Sequence, residues 1–157
     1  MTGDSSLAAG ELAYAAGYAS AALNYGQATA EAATSLNESH AWGSRSTAIN
    51  YGLATGGGSF SQGGSSVSAV YAAGFGQATV TSYSSVALGR NNEVLDSAGG
   101  PVNGTTWDPV DPLLSVGIGA NEFARKDAFT IYKDGKIRMT KRQGDIPMGQ
   151  FGNGAGD

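Results

Sequence analysis

A short phrase returns again and again through the first 92 residues of this chain. It reads Gly-x-(Ala/Ser)-(Ser/Thr) in Gly17-Tyr-Ala-Ser20, Gly26-Gln-Ala-Thr29, Gly43-Ser-Arg-Ser46, Gly52-Leu-Ala-Thr55, Gly63-Gly-Ser-Ser66 and Gly76-Gln-Ala-Thr79, with a decayed copy at Gly89-Arg-Asn-Asn92. Three copies place an aromatic ring before the glycine: Tyr25-Gly-Gln-Ala-Thr29, Tyr51-Gly-Leu-Ala-Thr55 and Phe75-Gly-Gln-Ala-Thr79. A unit this small cannot bury a face of its own, so the chain must stack unit upon unit.

The composition agrees with a stack rather than a globule. Glycine supplies 25 of 157 residues and only 14% are charged, while alanine, serine and threonine stand where large aliphatic side chains would form a thick core. At about 25 cal/mol per Å² of buried apolar surface, such side chains stabilise a compact globule poorly. A thin core suits stacked coils, or an assembly in which several chains complete one core.

Alanine between residues 7 and 36 favours helix by propensity, but Gly10, Gly17 and Gly26 each cost about 1 kcal/mol in a helix interior, and no apolar stripe of helical period runs through them. At period two, Ala13, Ala15, Gly17, Ala19, Ala21 and Leu23 form an unbroken small or apolar row, which reads as strand. The glycine intervals run 9, 17, 9, 11, 13 and 13. The interval of 17 hides a copy in which Ser35 stands for glycine, and the uneven spacing predicts coils of varying length, with Gly56-Gly-Gly-Ser-Phe60 swelling out as a loop. The hydroxyl after each glycine is suited to bond back to the backbone of a turn.

At Asn92 the character changes. Residues 1–92 hold six charged side chains and residues 93–157 hold sixteen. Gly99-Gly-Pro101, Asp108-Pro and Asp111-Pro mark a linker over 93–112. Leu113–Gly119 then reads as a strand, and Ala128–Lys133, Asp134-Gly135 and Lys136–Thr140 read as a hairpin, because Asp-Gly supplies the positive φ angles that match strand twist. The organisation read from the sequence is therefore repeats over 1–92, a linker over 93–112, a hairpin module over 113–142 and a glycine-rich tail over 143–157.

The formal charge of −4 argues against a nucleic-acid partner. The absence of cysteine removes disulfides and thiolate chemistry. Met1-Thr-Gly-Asp-Ser-Ser lacks the basic and apolar regions of a secretory signal, and no run approaches the roughly 18 apolar residues of a membrane span, so no direct membrane insertion is expected. Catalytic groups are sparse. His40 is the single histidine and has no neighbouring group in sequence to orient it. Asp108 and Asp111 come nearest to a glycosidase pair, but each precedes proline and is better read as a turn former. Gly117-Ile-Gly119 lacks the third glycine of a dinucleotide loop, and Gly56-Gly-Gly58 lacks a following lysine. No calcium-repeat or EF-hand pattern occurs. The expectation is of a non-enzyme without cofactor or metal.

Together the repeats resemble the head of trimeric autotransporter adhesins, the YadA-like left-handed parallel β-roll. Ser85-Val-Ala-Leu-Gly89, Ala41-Trp-Gly43 and Ala13-Tyr-Ala-Ala-Gly17 match its units best. Ser115–Asn121 through Arg125–Gly135 looks like the short β-rich module that follows such heads in adhesins and in phage or phage-like tail fibres. The resemblance implies an all-β fold, three chains about one axis, and attachment of a cell, virion or injection particle to a surface glycan or protein receptor, at the cell surface or on a virion-like tail fibre. The sequence departs from the family pattern in showing no heptad stalk, no membrane-anchor barrel segment and no signal peptide, which leaves an isolated adhesin head and a released fibre both open. A polysaccharide-degrading tail spike and an ice-binding solenoid are the alternatives; the second would need ranks of Thr-x-Thr, and only Thr79-Val-Thr81 fits.

For receptor contact the candidates are Trp42, Phe60 and the basic residues Arg125, Lys126, Lys133, Lys136 and Arg138. The basic group could hold anionic surface polymers such as lipopolysaccharide, or form a solvated hairpin face paired across strands. The rings just before the repeat glycine read as structural. Asn37-Glu-Ser39 and Asn103-Gly-Thr105 are glycosylation sequons only in a source that glycosylates.

Overall fold

The computed structural model describes residues 3–140, so the expected tail over 143–157, and Lys141 and Arg142 before it, lie outside the described residues. Within that span the chain is all-β, with no helix. It winds between two sheets: β1 (Leu7–Ala9), β2 (Tyr14–Ala15), β3 (Ala21–Leu23), β4 (Gln27–Ala28), β5 (Thr34–Leu36), β6 (His40–Ala41), β7 (Thr47–Ile49), β8 (Leu53–Ala54), β9 (Phe60–Gln62), β10 (Ser66–Val67), β11 (Ala73–Gln77), β12 (Thr79–Val80) and β13 (Val86–Arg90). Odd-numbered strands pair in parallel in one sheet and even-numbered strands in the other, which makes a β-solenoid of about six turns.

The coil length is constant. Gln27 pairs with His40, His40 with Leu53, and Thr34 with Thr47, each across 13 residues. Only the first step, Leu7 to Ala21, is one residue longer. This corrects the expectation of uneven coils. Gly56-Gly-Gly58 is an ordinary turn leading into β9, with no loop swelling from it. Ser35 is no glycine substitute but the inward residue of β5. The period-two row from Ala13 to Leu23 is broken by the turn at Tyr18-Ala19, after which Ala22 faces inward, not Ala21 or Leu23.

The glycine intervals misled because the phrase falls on two different turns. Gly17, Gly43 and Gly56 open one turn, where the hydroxyl does bond back: Ser20 Oγ donates to Gly17 O at 2.7 Å and Ser59 Oγ to Gly56 O at 2.7 Å. Gly26 and Gly52 close the other turn, whose two preceding residues both have positive φ: Asn24-Tyr25 and Asn50-Tyr51, with Asn37-Glu38 between them. Asparagine tolerates that region better than other side chains, and its short amide finds partners there. The Asn37 amide donates to Asn50 Oδ1 at 3.0 Å, and the Asn24 amide to Asn37 Oδ1 at 3.4 Å, so the three form a ladder along one edge. Replacing Asn37 by alanine is expected to cost about 1–2 kcal/mol, whereas Asn37→Gly should cost less because glycine accepts the backbone angle. Equal losses in thermal melting would show that the ladder, not the angle, matters.

The core is as thin as the composition requires. Ala15, Ala28, Ala41, Ala54, Val67 and Val80 face inward from the even strands, and Ala22, Ser35, Ala48, Ser61 and Ala87 from the odd ones, all buried. Two kinds of coil alternate. In one, a buried serine pair spans the interior: Ser35 and Ser39 hydroxyls lie 2.9 Å apart, Ser61 and Ser65 2.7 Å apart, and the second of each pair accepts a backbone N–H, Leu36 or Gln62, at 3.0 Å. In the other, Ala22 and Ala48 stand one coil before the first serine of each pair and Gly26 and Gly52 one coil before the second, where a Cβ at Gly26 would fall 2.4 Å from Ser35 O and one at Gly52 2.5 Å from Ser61 O.

Volume is matched locally as well. A Cβ at Gly74 would meet Val67 Cγ2 at 2.7 Å, so the larger valine in this coil is offset by glycine opposite. Gly74→Ala is expected to destabilise by about 1–3 kcal/mol, and adding Val67→Ala should restore most of it. Additive losses in denaturant melts of the single and double variants would contradict this pairing.

Beyond β13, the chain continues the ten-stranded sheet through β14 (Pro112–Ile118), parallel to β13, then β15 (Asp127–Tyr132) and β16 (Ile137–Met139), each antiparallel to its predecessor. Residues 93–111 lie against the last coils, where Val70 N–H donates to Gly104 O at 2.9 Å and Tyr83 N–H to Asn103 O at 2.8 Å.

Candidate functional site

The residues singled out in sequence do not gather. Trp42 stands half-exposed on the outer side of the six-stranded sheet, its ring 5.2 Å from His40. Phe60 lies on the outer side of the ten-stranded sheet, 5.4 Å from the Phe75 ring. The two therefore face opposite directions.

The basic residues are mostly engaged. Lys136 pairs with Asp134 at 2.7 Å, and Arg138 with Glu93 and, at 3.7 Å, Asp127. Arg125 donates to Thr79 Oγ1 at 3.0 Å and to Asn92 O at 3.2 Å, tying the chain after β14 to the roll. Lys126 is exposed. Lys133 is buried. Its ammonium donates to Ser82 Oγ at 2.9 Å, faces Asp111 Oδ2 at 3.7 Å and sits 5.1 Å from the Trp107 ring centre. Burial lowers the Lys133 pKa, and Asp111 opposes that by favouring the charged form. Asp111 is thus more than a turn former: it is buried, and its Oδ2 also accepts the Asn103 N–H at 2.9 Å. Asp108 does shape a turn, accepting the Val110 N–H at 3.2 Å. Among the described residues no three His, Cys, Asp or Glu side chains converge as metal ligands would.

A second buried carboxylate, Asp127, accepts the Thr130 hydroxyl at 2.7 Å and the Glu93 N–H at 2.9 Å. Burial nevertheless outweighs these bonds and raises its pKa. Its contribution to stability is therefore greatest below the unfolded aspartate value and is lost as pH rises through the folded one. Melting temperatures of Asp127→Asn against the parent, followed as pH falls toward about 4, should show this gain in the parent alone.

Two surfaces escaped the sequence reading. Along the asparagine ladder, carboxylates and phenols alternate coil by coil: Glu11, Tyr25, Glu38 and Tyr51. The neighbouring Glu11 carboxylate raises the Tyr25 phenol pKa, and the Glu38 carboxylate raises that of Tyr51. These rings are exposed on a turn rather than wedged between coils. The other surface is an open groove of about 460 Å³ where the last turns of the roll meet the loop over 119–125, lined by Gln77, Asn91, Asn121, Glu122 and Arg125. Beside it Phe123 is 91% exposed. The phrase Asn121-Glu-Phe-Ala-Arg125 offers a signal in hindsight, since asparagine two residues before an aromatic can cap a tight turn and hold the ring outward. Compared with family models, curated proteins and solved structures, the chain matches none.

Proposed function

We propose that the chain is a non-enzymatic, homotrimeric fibre or adhesin head, wound as a left-handed β-roll, that attaches a cell, virion or injection particle to a target surface. The observation that carries this reading is the outer side of the ten-stranded sheet. Leu23, Leu36, Ile49, Gln62, Phe75 and Leu88 follow one another in one outward column, and Leu7, Thr34, Thr47, Phe60 and Val86 stand in the other, with no charged side chain on β1, β3, β5, β7, β9 or β11. An uncharged and mostly apolar face of this length, backed by a core of alanine and serine, is stabilised by packing on its own kind about an axis. Phe60 then belongs to the interchain face, and receptor contact falls to other surfaces. Threefold valency multiplies shallow contacts into firm attachment outside the cell.

Sedimentation equilibrium tests the assembly. The parent chain should give three times its monomer mass, and Leu36→Lys with Ile49→Lys should lower the mass by placing like charges in the interface. A folded monomer from the parent chain would overturn the trimer. Binding of labelled chain to whole target cells tests the function, and absence of binding to any cell panel would overturn attachment.

A further inference from the structure

We propose that the groove between the last turns of the roll and the loop over 119–125 is a receptor site for an uncharged oligosaccharide; the proposal rests on the attachment reading above. Glu122 and Arg125 line both the polar groove of about 460 Å³ and an adjoining hollow of about 430 Å³ that includes Leu95 and Phe123, so the two form one continuous surface. Along it, amides lie on one side and an apolar ring on the other.

Sugars ask for this combination. A pyranose has an apolar face of C–H groups that stacks on an aromatic ring, and a rim of hydroxyls that pair with planar amides and carboxylates. Phe123 supplies the ring, which stands 91% exposed among the described residues. Gln77, Asn91 and Asn121 supply the amides. Among the described residues the Gln77 amide, Asn91 Oδ1 and the Asn121 NH₂ have no protein partner, leaving them open toward solvent.

The surface is also set before any ligand arrives. Asn121 Oδ1 accepts the N–H groups of Phe123 and Ala124 at 3.0 Å each, which holds the ring out from a tight turn. Gly119 N–H donates to Arg90 O at 3.1 Å and Lys126 N–H to Asn91 O at 3.0 Å, fastening both ends of the loop to the roll. A held loop loses little entropy on binding. Charge selects the class: Arg90 and Arg125 are offset by Glu93 and Glu122 around the two hollows, so no excess of one sign draws a polyanion.

The test uses the full chain on a printed panel of neutral oligosaccharides of glucose, galactose, mannose and N-acetylhexosamines, with heparin as the polyanion. Binding to a neutral member, weakened about tenfold by Phe123→Ala and by Asn121→Ala but not by Trp42→Ala, is the expected result. Melting of Phe123→Ala should match the parent, since the ring is exposed. Preference for heparin, or equal binding by the Phe123 variant, overturns the proposal. Cell binding separates it from the reading beneath it. Attachment that survives both periodate oxidation of the cells and Phe123→Ala sinks the glycan site and leaves attachment standing, whereas no attachment by the parent sinks both.

Discussion

Asp111→Ala is expected to destabilise the chain by about 3–5 kcal/mol, a large share of the stability of a domain this size. Asp111 and Lys133 have side-chain exposures of 1% and 0%, and they join the segment before β14 to the end of β15. Removing the carboxylate leaves the ammonium with Ser82 Oγ and two aromatic rings, Tyr83 and Trp107, as its surroundings. It also strips the Asn103 N–H of its acceptor. Lys133→Met makes the converse error and should be comparably harmful. The double variant Asp111→Ala, Lys133→Met removes both charges and should be less damaging than the two single losses combined. Denaturant melts at one fixed protein concentration measure the cycle. A loss below about 1 kcal/mol for Asp111→Ala would mean that water reaches the pair and that it behaves as a surface bridge.

The second large effect is overpacking at the centre of the roll. Ala54 is fully buried between Ala41 and Val67 in the inward column of the six-stranded sheet. Ala54→Leu should cost about 3 kcal/mol, the top of the usual range for added core volume. The column shows why. It admits valine at Val67, where glycine stands opposite, whereas the inward residues of β7 and β9 are Ala48 and Ser61. Each coil is also bonded to the next along both sheets, so a bulge in one must be carried by its neighbours. Loss of cooperative melting is the readout; a variant that melts as the parent does would show that the two sheets can part.

The coiled plan was legible because small residues, glycine and hydroxyls recur too often for a globule. The coil length was hidden by the glycines that announced it. Tyr25-Gly26 and Tyr51-Gly52 are true equivalents two coils apart, but Phe75-Gly76 only looks like a third: Phe75 pairs with Gln62 and Leu88, and Gly76 stands beside Gly89 inside β11. The signals that keep register are quieter. They are Asn24, Asn37 and Asn50, forced by backbone angle, and Ala15, Ala28, Ala41 and Ala54, forced by space. Glycine shares these slots with other small residues, Ser39 and Ser65 standing one coil on from Gly26 and Gly52, so its recurrence alone does not mark the coil. The candidate groove was illegible for another reason: Gln77 and Asn91 are neighbours within the roll, but the loop carrying Asn121 and Phe123 reaches them only because β14 returns beside β13 across a segment of 93–111 whose path no local pattern specifies.

A constant coil gives this protein a quantised length. Neighbouring strands lie about 4.8 Å apart, so each added coil extends the roll by that step and leaves every existing contact intact. Because serine-paired and alanine–glycine coils alternate, two coils form the natural unit of insertion or loss. Duplication in such units could lengthen or shorten the reach of the chain without redesigning its interior, whereas a change that is not a whole number of coils would turn every following asparagine and alanine out of its column. Reach and fold are thus separately adjustable.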